Sequence, residues 1–316
     1  MRYYKYIPYC LVILFTLYSC KSEKKGSPSS KDKNPKTEIK TTGKEKNYSV
    51  YYELNLPFEI LVNDLVVEKN MDTGMDGPDQ LNQFILENGE QKIKIKAFHP
   101  FAERGGMFKP EDIALINEKL RIYLKDEHAN EGKLQLIKVL KFPIIEDEVP
   151  FIEGEWSFDA EVPFNLEGWK NSKNLSAYGD DELEKMVISK FKELRKLLNT
   201  GNALDFMKEL EFRNTEFYNA NYFSTPQISD YEASLLATFA KLEGLMLPIE
   251  NYKMRILGGG KVVSLERIGK YKGQSVLIAE DNKTNMLYTN YTMLYLPFGK
   301  NTLEIVRINP MITSLE

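Results

Sequence analysis

The 316-residue sequence predicts an all-β sandwich followed by an α+β domain in which helices precede an antiparallel sheet. Two observations indicate this order. Between residues 47 and 170, apolar residues recur in short runs with period two, separated by Asn, Asp, Gly and Pro, which is typical of strands and turns. In residues 175–316 the period first changes to three and four, as in amphipathic helices, and then returns to short strands.

Residues 1–19 have the layout of an export signal. Arg2 and Lys5 precede an apolar run over residues 7–18 that is too short to cross a bilayer comfortably. The run ends in Leu-Tyr-Ser-Cys, which resembles the bacterial lipobox, although its Tyr is bulkier than the small residue usual there. The resemblance implies cleavage before Cys20, acylation of Cys20 and anchoring in a bacterial cell envelope. The alternative is an uncleaved N-terminal anchor helix.

Residues 20–46 are expected to form the lipidated cysteine and a flexible tether. The segment is rich in Lys, Ser, Thr, Pro and Gly, and it holds too few apolar residues to offset the entropy cost of ordering. Coil statistics give it a root-mean-square reach of roughly 25–30 Å. In enterobacterial lipoproteins an Asp after the acylated Cys signals inner-membrane retention. Lys21 stands there in this chain, so the resemblance implies the outer membrane, with the body facing either the periplasm or the cell surface.

Charge and cysteine content exclude several classes of function. The segment 21–46 carries nine lysines against four acids, whereas residues 47–316 hold 31 basic and 42 acidic residues, a net charge of −11. An acidic body disfavours nucleic-acid binding, which needs Lys and Arg clustered on a folded face. Cys10 and Cys20 are the two cysteines, so the mature chain is expected to lack disulfides, Cys nucleophiles and Cys metal sites.

Residues 47–170 predict about seven short strands, which is typical of an antiparallel sandwich. Asn63 and Asp64 separate two apolar runs and predict a tight hairpin, because both residues tolerate positive φ. After a turn at Asn88 and Gly89, Lys and Ile alternate, with Lys outward and Ile inward. The predicted strands cover residues 48–56, 58–62, 65–68, 92–98, 120–124, 134–140 and 155–162.

Part of this region resembles the immunoglobulin-like domains of bacterial surface proteins. The resemblance rests on the hairpin at residues 58–67, with Val-Asn-Asp in its turn, and on the Asn-Gly turn followed by residues 92–98. It implies an immunoglobulin-like sandwich, a fold that usually binds or spaces and rarely catalyses.

The loop from Asp72 to Asp79 places carboxylates and glycines in an order similar to a calcium loop. An EF-hand needs an oxygen ligand at position three and a bidentate Glu at position twelve, where this chain has Gly74 and Gln83. The sequence therefore excludes an EF-hand. A different Ca²⁺ loop and a solvated acidic turn are the two interpretations that remain.

A long amphipathic helix is predicted to begin near residue 180. Asp180 or Asp181 can cap its start, and Gly201 ends it. Its apolar face repeats at spacings of three and four, through Leu183, Met186, Val187, Phe191, Leu194, Leu197 and Leu198.

Two further helices are predicted before residue 250. One helical run covers residues 203–217. The other begins at residues 229–232, where Ser-Asp-Tyr-Glu matches a capping box, and ends before Gly244.

The remaining chain predicts five strands joined by short turns. Consecutive short connections indicate an antiparallel meander, because parallel strands need long crossovers. Helices followed by such a sheet resemble the NTF2-like (SnoaL-like) superfamily, which implies helices capping a curved sheet around a pocket. The predicted strands cover residues 252–257, 262–268, 274–280, 286–296 and 302–308.

The sequence predicts no catalytic residue, no metal ligand and no cofactor. The run of three glycines at residues 258–260 before Lys261 is followed by a strand, so it predicts a hairpin turn and not a phosphate loop. His99 and His128 are isolated histidines without neighbouring ligands. Cys20, the expected lipid-attachment residue, is the one site residue predicted.

An isomerase-type site in the second domain needs a carboxylate base and a neutral donor pair inside an apolar cavity. Packing is the simpler interpretation of the tyrosines, and Glu232 is assigned to the helix cap. The candidate side chains are Tyr252, Tyr288, Tyr291, Tyr295, Asp230 and Glu232.

Three functions follow as hypotheses. The first is a non-enzymatic envelope lipoprotein that binds another protein, in one version an immunity protein against a delivered toxin. The second is small-molecule binding or isomerisation in the cavity of the second domain. The third is a structural spacer in a surface complex. The expected partners are the membrane, through the lipid anchor, and an envelope protein, but not nucleic acid.

Overall fold

The computed structural model describes residues 45–72, 74–126 and 133–315. In these ranges the chain is mostly β, with several antiparallel sheets and five α-helices. The strands of the first part are β1 (Lys46–Tyr51), β2 (Glu53–Leu54), β3 (Phe58–Val62), β4 (Leu65–Asn70), β5 (Met75–Asp76), β6 (Asp79–Gln80), β7 (Gly89–Phe98), β8 (Arg121–Asp126), β9 (Leu134–Val139) and β10 (Phe151–Ala160).

Two four-stranded sheets hold most of these strands, in the orders β6-β1-β8-β9 and β10-β7-β3-β4. Val50 and Ile122 from the first sheet and Ile60 and Ile95 from the second are fully buried in one apolar core. β1 begins at Lys46, the last residue of the segment that the sequence assigns to the tether.

The hairpin between β3 and β4 forms where the sequence predicts it. Asn63 and Asp64 have φ of 50° and 64°, which is the backbone that a two-residue turn of the favoured hairpin type requires. The Asn63 side chain donates to the Phe84 carbonyl and to the Gln91 side chain, at 2.9 and 2.8 Å. The turn is therefore fixed to β7 and to the segment before it, as well as by its own conformation.

β7 pairs along its whole length with β10. Ile93 and Ile95 point into the core with no exposed surface, as the alternation predicts. On the opposite face, Lys96 pairs with Glu153 at 2.7 Å and Lys94 with Glu155 at 3.2 Å. Such exposed pairs contribute little stability, but they keep this face polar.

One helix of the first part was not predicted. Helix α1 (Pro110–Asn117) begins at a proline in its first turn, where the missing N–H costs nothing. The Asp112 carboxylate accepts a hydrogen bond from the Lys109 N–H at 2.9 Å. The run Lys-Pro-Glu-Asp carries this start signal, and only Ile113 and Ile116 of the helix are buried.

Helix α2 (Asp180–Asn199) buries the apolar face that its spacing predicts, including Leu183, Phe191 and Leu198. The expected cap is wrong. Gly179 occupies the N-cap position without a side-chain hydrogen bond, and the acids fall in the first turn, where they interact favourably with the helix dipole.

The single helix predicted over residues 203–217 is two helices. α3 (Ala203–Glu209) and α4 (Glu211–Ala220) meet at Leu210, which is fully buried and caps both of them. Burial of Leu210 against the neighbouring core redirects the chain, which helical spacing alone does not reveal.

Helix α5 (Thr225–Ala240) begins earlier than predicted. Ser224 and Gln227 form the capping box, and the Gln227 side chain accepts from the Ser224 N–H at 2.8 Å. The predicted box at residues 229–232 is wrong, because Pro226 fits the first turn, where its missing N–H needs no partner. Glu232 instead accepts a hydrogen bond from the Tyr218 hydroxyl at 3.2 Å.

Five antiparallel strands complete the chain, and their order departs from a simple meander. β14 pairs with β15 along one side, and its other side is shared between β13 and the first two residues of β12. β12 meets the segment just before β13 through the isolated bridge between Glu266 and Ser275. The strands are β11 (Tyr252–Leu257), β12 (Val262–Arg267), β13 (Leu277–Asp281), β14 (Met286–Tyr295) and β15 (Glu304–Ser314).

The triple-glycine segment is a turn between β11 and β12, as predicted. All three glycines have positive φ, and the Gly259 N–H donates to the Asp64 carboxylate at 2.9 Å. A Cβ on Gly260 would lie 2.7 Å from the Asn174 side-chain oxygen. The turn therefore packs against the β3–β4 hairpin, which joins the second part of the chain to the first.

The two parts of the chain share a buried network of charges. Glu59 on β3 and Lys69 on β4 face Arg255 on β11 and Glu266 on β12. Lys69 Nζ lies 3.2 Å from Glu59 and 2.7 Å from Glu266. Arg255 binds Glu59 through two nitrogens and Glu266 at 2.8 Å. Tyr291 of β14 donates to Glu266 at 2.5 Å. We call these five residues the charge lock.

Burial and neighbouring charge shift the pKa values of the two acids in the charge lock in opposite directions. Burial by itself would raise the pKa of Glu266, but Lys69 and Arg255 more than reverse that effect and hold this pKa at about 2. The pKa of Glu59 is lowered in the same way, chiefly by Arg255 against the opposing effect of burial. Both acids are therefore ionised at neutral pH and depend on cations from the other part of the chain.

A second polar contact links the two parts on the opposite side of β14. Arg307 of β15 donates to the Gln83 carbonyl at 2.6 Å and pairs with Glu216 of α4 at 2.8 Å. Glu216 in turn accepts from the Gly168 N–H at 2.7 Å. Asn309 donates to the Val66 carbonyl at 2.7 Å.

Candidate functional site

Cys20, the predicted lipid-attachment residue, lies outside the described residues, as does His128. His99 is described, and its ring packs edge-on against Phe108 with centroids 5.3 Å apart. Its Nδ1 accepts from the Phe101 N–H at 3.2 Å. His99 thus has a packing and turn-forming role in the structure.

The acidic loop at residues 72–79 is only partly a solvated turn. Asp72 and Asp76 are exposed, whereas Asp79 is half-buried and accepts from the Tyr52 hydroxyl at 2.5 Å. Glu68 of β4 is a second half-buried acid that interacts with Asp79. Among the described residues, no group of three or more His, Cys, Asp or Glu side chains is placed to hold a metal ion.

Glu68 and Asp79 hold their protons unusually strongly. Burial raises the pKa of Glu68 to about 8, and the nearby charge of Asp79 adds to this effect. Burial also raises the pKa of Asp79 to about 6, against the opposing effect of the hydrogen bond from Tyr52. Ionising both acids costs free energy, because each carboxylate is poorly solvated and the two negative charges repel each other.

The candidate tyrosines of the second part do not converge on one site. Tyr288 belongs to the core between the helices and the sheet, whereas Tyr291 and Tyr295 belong to the core shared with the first part. Tyr291 serves the charge lock, and Tyr295 stacks on Phe212 at 5.5 Å. Tyr252 is half-exposed at the start of β11, and the two candidate acids, Asp230 and Glu232, are exposed on α5.

A polar spot does lie between the helices and the sheet. Tyr288 and Asn290 of β14 are fully buried, and the Tyr288 hydroxyl interacts with the Asn290 side chain. No other group of the described residues hydrogen-bonds to either of them. Buried polar groups are nearly always fully paired, so this pair, which has only itself, is the polar feature that a water molecule or a small ligand group would satisfy. The surrounding side chains, including Phe191, Phe206 and Phe239, are apolar and fully buried.

An exposed apolar strip lies at the edge of the first part. β9 is the last strand of its sheet, with β8 as its partner. Leu134, Leu136 and Val139 are 47%, 49% and 36% exposed, and we call these three residues the β9 edge surface. Leu136 stands opposite Tyr123 of β8, whose buried neighbours Ile122 and Leu124 show that this face points outward.

Two other exposed apolar side chains follow β9 in the chain. Ile144 lies in the connection to β10 and is 93% exposed, and Phe151 begins β10, the edge strand of the other sheet, at 48% exposed. An open strand edge offers backbone donors and acceptors to another strand, and exposed apolar side chains beside it favour association. The sequence predicts β9 as a strand, but an alternating apolar pattern gives no sign that one side of β9 pairs with no other strand of residues 45–72, 74–126 and 133–315.

Protonation of Glu68 and Asp79 should make stability depend on pH. Their raised pKa values favour the folded state below about pH 4.5, and this contribution is lost as the pH rises through about 6 and about 8. We expect the free energy of unfolding, measured by urea denaturation, to fall between pH 5 and about 8. Glu68→Gln should remove the upper part of this fall, whereas Glu90→Gln, at an exposed acid, should not. A pH profile that is the same in Glu68→Gln and the unmodified chain would contradict this account.

Among the described residues, no helix is both long and apolar enough to span a bilayer. Comparison with known proteins provides no relative, since no family model, curated protein or solved structure matches this chain. Its function therefore has to be inferred from its own residues.

Proposed function

We propose that this chain is a non-enzymatic envelope lipoprotein that is anchored through Cys20 and binds another protein along the β9 edge surface. The observation that carries the proposal is a strand edge that no other described strand covers, beside three exposed apolar side chains. A partner that adds an extended strand would satisfy the free backbone groups of β9 and cover Leu134 and Leu136.

The anchor and the tether suit this role. An export signal that ends in a lipobox-like run would leave Cys20 lipidated, and two or three acyl chains hold a protein stably on a bilayer. A tether with a reach of roughly 25–30 Å would let the folded body meet partners away from the headgroups. Under this proposal the protein is in the envelope, most simply at the outer membrane.

A specific version is an immunity protein against a delivered toxin. The net charge of −11 on residues 47–316 suits a basic toxin surface, because complementary charge accelerates encounter. Co-expression of the chain that fails to protect a cell from the candidate toxin would exclude this version while leaving protein binding in place.

The second candidate is a small-molecule site between the helices and the sheet of the second part. The Tyr288 hydroxyl and the Asn290 amide favour it, because they interact only with each other and could also hydrogen-bond a polar ligand in apolar surroundings. A small-molecule site agrees with the NTF2-like interpretation of the second part. Protein binding agrees with the immunoglobulin-like interpretation of the first part. A spacer role is the third candidate. It predicts that substitutions in the β9 edge surface do not change partner capture.

The anchor is tested by Cys20→Ser in the full chain. We expect the unmodified chain to incorporate labelled palmitate and to remain with the membrane fraction, because acyl chains partition into lipid. Cys20→Ser should lose both the label and the membrane association. Membrane retention of Cys20→Ser without label would instead support the uncleaved anchor helix.

The binding surface is tested by Leu136→Lys in the anchored chain. The added charge should leave the fold intact, because Leu136 is already half-exposed, but should block strand addition and reduce partner recovery about tenfold or more. The measurement is cross-linked capture from the native envelope over a range of salt concentrations. Leu204→Lys, at a 66% exposed leucine on α3, is the matched control and should capture as the unmodified chain does. Equal capture by Leu136→Lys would contradict the proposal.

A further inference from the structure

Strand β9 presents its polar side chains toward the inner side of its sheet and its apolar ones outward. Gln135 and Lys138 stand opposite Leu124 and Ile122 of β8, whose side chains are buried in the core. Ile137, at the register shift between the two strands, is the residue of β9 that packs partly against the core. A strand that serves a core has its apolar residues on the inner face. The alternation of β9 therefore suits a neighbour from outside the described chain better than it suits the core.

The chain around β9 is basic, although the folded body is acidic. Residues 133–141 hold three lysines and no acid, whereas residues 47–316 carry a net charge of −11. Lys138 is partly exposed and Lys141 is exposed, and neither side chain forms an ion pair with the described residues. A strand that approaches this edge therefore meets positive charge, whereas the rest of the body carries an excess of negative charge.

This local charge decides between a second copy of the chain and a different partner. Two copies of β9 side by side would bring six lysines to one seam, three from each copy, with no acid from residues 133–141 to balance them. Like charges on adjacent strands are destabilising, and lysine on an edge strand is a common protection against self-association. An acid directly opposite Lys138 is favourable instead, because opposite charges in a cross-strand pair attract each other.

We propose that the partner segment at β9 is an extended strand in which apolar residues alternate with acids. Its backbone would pair with the edge of β9 that no described strand covers, and its apolar side chains would lie beside the β9 edge surface. Its acids would lie near Lys138 and Lys141. The negative charge of the remaining body would repel such a segment from other places. This inference rests on the proposed function, since it names the chemistry of the partner at the same surface.

Calorimetric titration of the full chain with three capped peptides of about eight residues tests the proposal. Valine alternates with glutamate in the first peptide and with lysine in the second. We expect the glutamate peptide to bind about tenfold more tightly than the lysine peptide at low salt, and the difference to shrink as salt is added. The third peptide has proline in place of two central valines of the glutamate peptide. It should not bind, because proline cannot donate a hydrogen bond to a strand edge.

Lys138→Glu separates charge recognition from other effects, because this side chain is partly exposed and forms no ion pair with the described residues. The lysine peptide should then bind more tightly than the glutamate peptide. Lys192→Glu, at an exposed lysine of α2, is the matched control and should keep the original preference.

Four results would each overturn the proposal: no binding of the glutamate peptide, equal binding of the glutamate and lysine peptides, binding of the proline peptide, or an unchanged preference in Lys138→Glu. Capture by Leu136→Lys still decides separately whether the β9 edge surface binds a protein. Failure of the proposed function is therefore distinguishable from failure of this inference.

Discussion

The buried carboxylate of Glu266 is the constraint on which the arrangement of the two parts depends. It has no exposed surface, and its nearest cation, Lys69, stands 197 residues earlier in the chain. Removing charges from water costs several kcal/mol for each ion unless close partners replace the water. The cations and acids of the charge lock compensate one another only in one relative placement of β3 and β4 against β11 and β12. That placement also brings the triple-glycine turn onto Asp64.

The placement set by the charge lock also explains which strand edges stay uncovered. β4 is one edge of the sheet β10-β7-β3-β4 and contributes Lys69 to the charge lock. Asn309 covers part of the β4 backbone. The far edges, β9 and β10, are left without a neighbour in the described chain and carry the exposed apolar side chains. The strands of the charge lock are thus used for the chain's own assembly, whereas the β9 edge surface belongs to the other sheet of the first part.

The sequence is most informative where a structure depends on neighbours in the chain. The Asn63–Asp64 hairpin, the buried face of α2 and the turn at residues 258–260 are set by local backbone preference and spacing, and all were predictable. The start of α5 was misassigned because two Ser-containing runs fit a capping box, and Pro226 is the residue that decides between them.

Features that depend on distant residues could not be predicted. Nothing in a single sequence indicates that Lys69 pairs with Glu266. Nor does it indicate that one helix ends and the next begins at Leu210. The candidate sites are of this kind. Leu134 and Leu136 follow the same alternating pattern as core residues, and only the sheet order places them at an open edge.

The most direct test of the charge lock is urea unfolding of the chain followed by two probes. Both tryptophans, Trp156 and Trp169, lie in the first part, whereas four of the five described helices lie in the second. We expect fluorescence and far-ultraviolet circular dichroism to report one coincident transition. Glu266→Gln should lower the free energy of unfolding by about 3–5 kcal/mol, because it leaves Lys69 and Arg255 with Glu59 as the one carboxylate that still contacts both of them. Two separate transitions in the unmodified chain, or a Glu266→Gln midpoint no lower than that of the exposed-pair control Glu103→Gln, would contradict the account.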